Sequence, residues 1–445
     1  MAILKNVKDM QNIGLASMGS VLEYFDFQVY VFVAVYLSRA LFPPHATVWS
    51  NEIKTFGIFA IGYLVRPIAG MIIAHFADRI GRKKLFIMTV LAMAVATFLM
   101  GCLPTYAQVG WLSWAALLTL RVFQGFALGG ELIGGAVFVC EHAEAKRLGL
   151  ASGIFFAVVN CGLLLGAGAA AIAKQVSGLD PALVSMTWRL PFLMGGVFGL
   201  IAAYLRRHLA ETPLFEQVRR EQKIAKRAPL LLVLRDYRWQ CLFALALTFV
   251  FATTPGIYFQ FLPTYLIANR HFQAADVFNA NVLGVAAFVL SMPCWGTLLD
   301  RFGYARMLAL AGVLNAGAAL WFFNYLPTLP VADGRLIAAI VLVGMLCGVT
   351  HSLIAAMICS LFPTPIRQSG FAFPYSIGTA LVSGLTPLVM ATLVRSYGLS
   401  APIFQAVLGG AVALILAAAV RHLPLYLGTK AGDEPALLSE QAAMD

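Results

Sequence analysis

Six ionisable side chains stand inside long apolar runs: Glu23, Asp26, Arg66, Arg121, Glu131 and His351. Each costs about 2.5–3.5 kcal/mol or more at the centre of a bilayer, so each requires a partner or a role. Asp26 lies about 13 residues into its run and Arg121 about 10 into its own, which puts both near mid-depth at 1.5 Å per residue. Opposite charges at one depth are expected to pair, because each is otherwise buried alone. Two readings of that pair stand. In one, protonation of Asp26 releases Arg121 to hold a carboxylate bidentately; in the other the bridge is permanent. Glu23 sits three residues before Asp26 on the same helical face. It either raises the proton affinity of Asp26 or pairs with a basic loop residue.

Arg66 stands about 18 Å above Asp78 along its helix, and Glu131 about 15 Å above Glu141. The two runs share a direction, so Arg66 and Glu131 are expected to form a pair, as scaffold or as part of a proton path. A free imidazole titrates near physiological pH, which makes His351 a candidate. It is read as a proton or carboxylate ligand, or else as a satisfied hydrogen-bonding group. Asn160, Tyr258, Gln260, Tyr375 and Ser376 are polar groups of the same kind of run. They either hydrogen-bond a solute or join helix to helix. Lys174, near a run's end, is read as snorkelling to water.

The elements that carry these groups follow from composition. The chain has 445 residues, 60% of them hydrophobic and only 11% charged, with mean hydropathy +0.83. A soluble domain carries about 25% charge. Runs of about 20 apolar residues cross a bilayer as helices, and the chain shows twelve: 13–41, 52–77, 83–103, 111–140, 149–174, 188–209, 239–268, 277–299, 305–326, 335–361, 369–394 and 400–423. The first run is too long for a signal segment. The fold class is therefore an all-α membrane protein of twelve transmembrane helices. Its longest polar stretch, from His208 to Arg238, separates an N-terminal six-helix bundle (1–209) from a C-terminal one (239–423), with a basic linker at 210–238 and a tail at 424–445.

A duplicated signature supports two halves. Asp78-Arg79-Ile80-Gly81-Arg82-Lys83-Lys84 follows the second run, and a worn copy, Asp300-Arg301-Phe302-Gly303-Tyr304-Ala305-Arg306, follows the eighth. Tyr24-Phe25-Asp26-Phe27 is echoed by Tyr258-Phe259-Gln260-Phe261. Aligning Glu141–Gly149 with Leu361–Ser369 puts His351 at the place in the second half that Glu131 holds in the first. In such bundles solutes bind near the midplane between the repeats.

Most of the 31 Lys and Arg fall in every second loop. By the positive-inside rule both termini and the linker are cytoplasmic. The net charge of +11 is spread over these loops rather than gathered in a stripe, which excludes nucleic acid as a partner. The seven Cys lack metal-ligand or disulfide spacing. No hydrolase, nucleotide or metal motif is present, so no enzymatic activity, cofactor or metal is expected. Uphill transport would then draw on an ion gradient.

The basic loop after the second run, Arg121-Val122-Phe123-Gln124-Gly125 with Gly129, and the polar central stretch resemble the major facilitator superfamily. Glu23-Tyr24-Phe25-Asp26-Phe27, Arg66-Pro67-Ile68-Ala69-Gly70 and Gly129-Gly130-Glu131 narrow the resemblance to its metabolite:proton symporter family, whose members carry citrate, 2-oxoglutarate, shikimate or proline and betaine. That family usually reads Glu-Trp-Tyr-Asp in the first run, where this chain has Glu-Tyr-Phe-Asp. The resemblance implies symport of protons with a small organic acid, or with a zwitterionic osmolyte, or drug or siderophore antiport. It implies a bacterial inner membrane, the lipid bilayer as surroundings and a monomer. Through it, Asp26, Glu23, Glu131 and His351 become proton-coupling candidates. Arg121, Arg66, Tyr24, Gln124, Asn160, Tyr258, Gln260, His351, Tyr375 and Ser376 become candidate solute ligands. The Asp78–Lys84 loop resembles the superfamily's cytoplasmic latch. It makes Asp78, Arg79, Gly81, Arg82, Glu141, Arg147, Asp300 and Arg301 the expected gate, with Arg82 reaching Glu141.

Overall fold

Inside hydrocarbon a backbone without partners is too costly, and an apolar run satisfies its own N–H and C=O groups only as a helix. The computed structural model describes residues 20–21, 24–69, 82–127, 131–179, 186–206, 229–329, 334–363 and 366–427, and among these there is helix and no strand. Each expected span is largely helical over its described residues. α1 is helical from 24 to 40 with one turn at Val33. α2 runs Val48–Leu64 and on to 69, and α3 runs Arg82–Gly101. α4 is described over Leu112–Ala127 and Glu131–His142. α5 is Leu148–Leu179 and α6 Met186–Arg206.

In the second half, α7 is built of Arg238–Pro255, a π-helical stretch Gly256–Phe261, and Leu262–Asn269. α8 is Ala274–Phe302, α9 Tyr304–Tyr325 and α10 Arg335–Leu361. α11 is Arg367–Leu381 followed by Thr386–Tyr397, and α12 is Ser400–Ala419. Eight of the helices among the described residues are long and apolar enough to cross a membrane. Two details differ from the expected spans. α11 breaks over 382–385 rather than running through, and a short helix, Pro229–Asp236, stands within the expected linker. The remainder of the linker that lies in 207–228, and the tail from 428, fall outside the described residues.

The halves meet through α5 against α8 and α10, and through α2 against α11. Where α5 crosses α8, the two backbones touch at glycines. A Cβ on Gly153 would stand 2.6 Å from the carbonyl oxygen of Met292, and one on Gly296 would stand 2.9 Å from the carbonyl carbon of Gly149. Small residues permit this approach, and contact of this kind rather than a hydrophobic driving force holds helices together in lipid.

Among the described residues three polar ties mark successive levels of the interface between the halves, beside a fourth in which Ala356 N donates to Ser152 Oγ at 3.3 Å. At one end the Asp300 carboxylate of α8 accepts hydrogen bonds from Gly149 N at 2.6 Å and Leu150 N at 2.9 Å. These are orphan donors of the first turn of α5, where the helix dipole also favours an anion. At mid-depth Gln260 Nε2 donates to Gln28 Oε1 at 3.0 Å. At the other end Trp49 Nε1 donates to Ala391 O at 3.2 Å.

The first tie gives a test. Replacing Asp300 by Ala strands the α5 donors, and the Asp300 end is expected to loosen. Cys140, at 1% exposure, and Cys359, at 0%, are buried thiols of α4 and α10. Their alkylation by N-ethylmaleimide, resolved by peptide mass, should rise several-fold in the variant. Unchanged labelling would show that this tie does not hold that end shut.

Candidate functional site

Asp26 is fully buried in α1, and neither carboxylate oxygen has a hydrogen-bond partner. It faces α6 where two glycines leave room. A Cβ on Gly195 would stand 2.6 Å from Asp26 Oδ1, and one on Gly199 would stand 3.4 Å from Oδ2. Thr97 of α3 lies beside the carboxylate, but its hydroxyl donates to Met93 O at 2.9 Å instead.

Arg121 of α4 is also fully buried. Its guanidinium donates to Phe27 O at 3.1 Å and to Gln124 Oε1. It lies 3.8 Å from the Phe27 ring centroid, 4.5 Å from Tyr30 and 5.1 Å from Phe59. The expected Asp26–Arg121 ion pair is therefore absent, and the reason is angular. Successive helical residues diverge by about 100°, so Phe27 turns toward Arg121 while Asp26 turns toward α3 and α6. The arginine's charge is met by a carbonyl, an amide oxygen and aromatic faces. The two residues are linked only through Gln124, whose Nε2 donates to the Asp26 backbone carbonyl at 3.0 Å and to Thr97 Oγ1 at 2.9 Å.

Arg66 of α2 stacks at 3.9 Å from the Phe27 centroid and 4.1 Å from Tyr63. Its Nε has no hydrogen-bond partner. One ring, Phe27, thus carries both guanidiniums, and among the described residues no carboxylate is paired with either. The expected Arg66–Glu131 pair involves a side chain outside the described residues. So do the expectations for Glu23, Asp78, Arg79, Gly81 and the side chains of Arg82 and Glu141.

Around mid-depth the tie between the halves extends into a short network. Gln28 Nε2 donates to Tyr63 Oη at 3.2 Å while its Oε1 accepts from Gln260. Gln260 and Tyr258 lie in the π-helical stretch of α7, and Gln260 Oε1 and the Tyr258 hydroxyl are buried without partners. A π turn often marks a functional position, because it re-aims side chains that a regular helix would point elsewhere. Tyr258 stacks on Phe323 with centroids 5.7 Å apart. Tyr24 is half-buried against the core. Gln28 was not among the expected residues. The signal available was a lone amide in an otherwise apolar stretch, which must find a partner.

His351 sits in a box of rings, 4.0 Å from Phe251, 4.6 Å from Phe288 and 6.1 Å from Phe156. Nδ1 is 3.2 Å from Thr350 Oγ1, and Nε2 has no partner. No acid stands beside it among the described residues. Tyr375 packs against Phe251 with centroids 5.7 Å apart, and the carbonyl of Ser376 accepts from Thr379 at 3.3 Å. Asn160 donates to Phe156 O at 2.8 Å, which leaves its Oδ1 without a partner. Of the other gate residues, Arg147 pairs with Glu144 at 3.7 Å on the surface, and Arg301 lies 5.6 Å over the ring of Phe302. Among the described residues no cluster of His, Cys, Asp or Glu has the arrangement of a metal site.

Comparisons with known proteins bear on the family and the fold. The model of the Major Facilitator Superfamily matches residues 16–289 and 278–441. A glycine betaine/proline/ectoine/pipecolic acid transporter, OusA of Dickeya dadantii (strain 3937), is 31% identical over 401 residues, 86% of this chain and 77% of the relative. The shikimate transporter of Escherichia coli (strain K12) is 30% identical over 385 residues, 85% of this chain and 86% of the relative. In fold, the proton:xylose symporter XylE bound to 6-bromo-6-deoxy-D-glucose aligns with TM-score 0.71 at 13% identity, over 94% of this chain and 97% of that one.

Proposed function

The chain belongs to the Major Facilitator Superfamily, in its metabolite:proton symporter family, and from that premise we propose that it carries a small organic acid together with protons by alternating access. The observation that carries this reading is the pair of guanidiniums on Phe27. Arg66 and Arg121 place two positive charges 3.9 and 3.8 Å from one ring with no paired carboxylate among the described residues. A solute carboxylate would give the two guanidiniums an anion, and the Nε–H of Arg66, which has no partner among the described residues, gives it a directed donor. Tyr63, Gln28, Gln260 and Tyr258 offer hydroxyls and amides at the same depth, and the partnerless Gln260 Oε1 and Tyr258 hydroxyl fit the polar groups of a hydroxylated acid.

Asp26 takes the proton in this scheme. It is buried without an ion-pair partner, so its charge is stabilised by no cation, and binding a proton removes the burial cost. It also sits against α6 while its backbone carbonyl is bound by Gln124. Proton binding on one face of α1 is thereby coupled through Gln124 to Arg121 on the other. In the cell we place the chain in a bacterial inner membrane with both termini, the linker and the Asp300 end cytoplasmic, as the basic loops require.

A second reading, symport of a zwitterion, is favoured by the 31% identity to the betaine and proline carrier of Dickeya. The two are separated in proteoliposomes under an inward proton gradient. Labelled shikimate or 2-oxoglutarate should accumulate and a protonophore should abolish it. Accumulation of proline or betaine with no uptake of either acid selects the second reading, and no gradient-driven uptake of any of the four overturns both.

A further inference from the structure

Opposite the Asp300 end, where α2, α7 and α11 meet, the halves border a partly open cavity of about 340 Å³. Its walls include Trp49, Glu52 and Phe56 of α2, Phe261 and Tyr265 of α7, and Arg395 of α11. Three features distinguish it from a packing gap. First, Glu52 is only 5% exposed and its Oε1 has no hydrogen-bond partner. Arg39 of α1, an exposed residue, acts on Glu52 at a distance but forms no ion pair with it. A buried carboxylate oxygen without a donor is unfavourable, and such groups in native proteins await a ligand or water. Second, Arg395 lies 4.2 Å over the Trp49 ring and is not paired with Glu52. A carboxyl group and a guanidinium thus border one small cavity with no ion pair between them. Third, the sides between them are aromatic and fixed. Trp49 is pinned by its bond to Ala391 O, and Phe261 and Tyr265 pack with centroids 5.7 Å apart.

The complement of such a cavity is a small molecule that is itself bipolar. Glu52 Oε1 requires a hydrogen-bond donor, which a primary or secondary ammonium N–H supplies and a quaternary nitrogen does not. Arg395 offers its guanidinium edge to a carboxylate while its face rests on Trp49. A dicarboxylate would meet the Glu52 charge at close range. The volume lies at the small end of ligand pockets, about 300–1,000 Å³, which suits an amino or imino acid. We infer that this cavity is an outer solute site for small zwitterions that bear at least one N–H, with the nitrogen on Glu52 and the carboxylate on Arg395. The site is distinct from the Phe27 centre, and it rests on the reading of the chain as a carrier of carboxylate-bearing solutes.

The test is equilibrium binding of tritiated L-proline to the full chain in nanodiscs, with L-pipecolate, sarcosine, N,N-dimethylproline and 2-oxoglutarate as competitors. In the wild type, N,N-dimethylproline should compete at least tenfold more weakly than proline. Glu52→Gln should weaken proline at least tenfold and leave N,N-dimethylproline unchanged, whereas Arg395→Gln should weaken both. Equal affinities for the methylated and unmethylated compounds in the wild type overturn the proposal without any variant. So does unchanged proline binding in Glu52→Gln, or a wild type that binds none of proline, pipecolate and sarcosine. Proton-driven uptake is measured separately. Glu52-dependent binding without gradient-driven uptake sinks the symport reading and leaves the site, while uptake with no dependence of binding on Glu52 does the reverse.

Discussion

Asp26→Asn is expected to abolish proton-driven accumulation while leaving exchange of labelled for unlabelled solute. A one-unit inward pH gradient coupled to a single proton sustains about a tenfold concentration ratio, equivalent to about 1.4 kcal/mol. Asparagine keeps the shape of the side chain that Gly195 and Gly199 accommodate but has no exchangeable carboxyl proton, so the ratio should fall to unity. Because Asp26 is in no ion pair, the substitution strands no cation, and thermal stability should be unchanged or raised. That separates a coupling role from a structural one. Full accumulation by Asp26→Asn in pH-clamped vesicles would exclude Asp26 as the coupled group.

The largest loss of stability is expected from Arg121→Lys. The guanidinium bonds two acceptors on different helices, Phe27 O and Gln124 Oε1, and covers three aromatic rings. An ammonium on a shorter, single-pointed donor set does not reproduce that fork. A fully buried charge that loses its partners costs about 3–5 kcal/mol. Arg66→Lys provides the contrast. Its guanidinium has ring contacts and a partnerless Nε, so it should lower solute affinity at least about tenfold with a much smaller drop in melting temperature. If the two substitutions exchange these effects, with Arg121→Lys stable and weak in binding, then Arg121 is the solute ligand and Arg66 the brace.

The span count and the depth of the buried charges were legible in the sequence because both depend on spacing along one helix. Twelve apolar runs predict twelve helices, and Asp26 and Arg121 do lie buried in theirs. What spacing along a helix does not carry is azimuth. Asp26 and Phe27 differ by one residue in depth but face different neighbours, and so the expected ion pair became a carbonyl contact, an amide relay and a stack of rings. The π-helical stretch at 256–261 was unreadable for a related reason. One extra residue per turn leaves no mark in an already continuous apolar run. Glu52 was passed over because it stands at the start of a span, where a charge ordinarily meets headgroups and water. Its burial is produced by α7 and α11 of the other half. Asp300 was expected at a gate, as part of a basic hairpin signature. Nothing in that hairpin signature indicates that its partner is the bare end of a helix.

That choice of partner distributes mutational tolerance unevenly. Asp300 grips main-chain N–H groups, and every amino acid except proline supplies one. Position 150 is therefore free, as far as this bond is concerned, to drift across almost the whole amino-acid alphabet. Position 300 has no comparable freedom, because a longer acid or an amide changes the reach or the charge. Gly149 and Gly296 are held by a different constraint, the contact of their own backbones. Among descendants of this chain, purifying selection on closure should thus fall on one acid and two glycines, while their sequence neighbours diverge. The second copy of the loop signature has Tyr304 and Ala305 where the first has Arg82 and Lys83, yet it keeps the aspartate at Asp300.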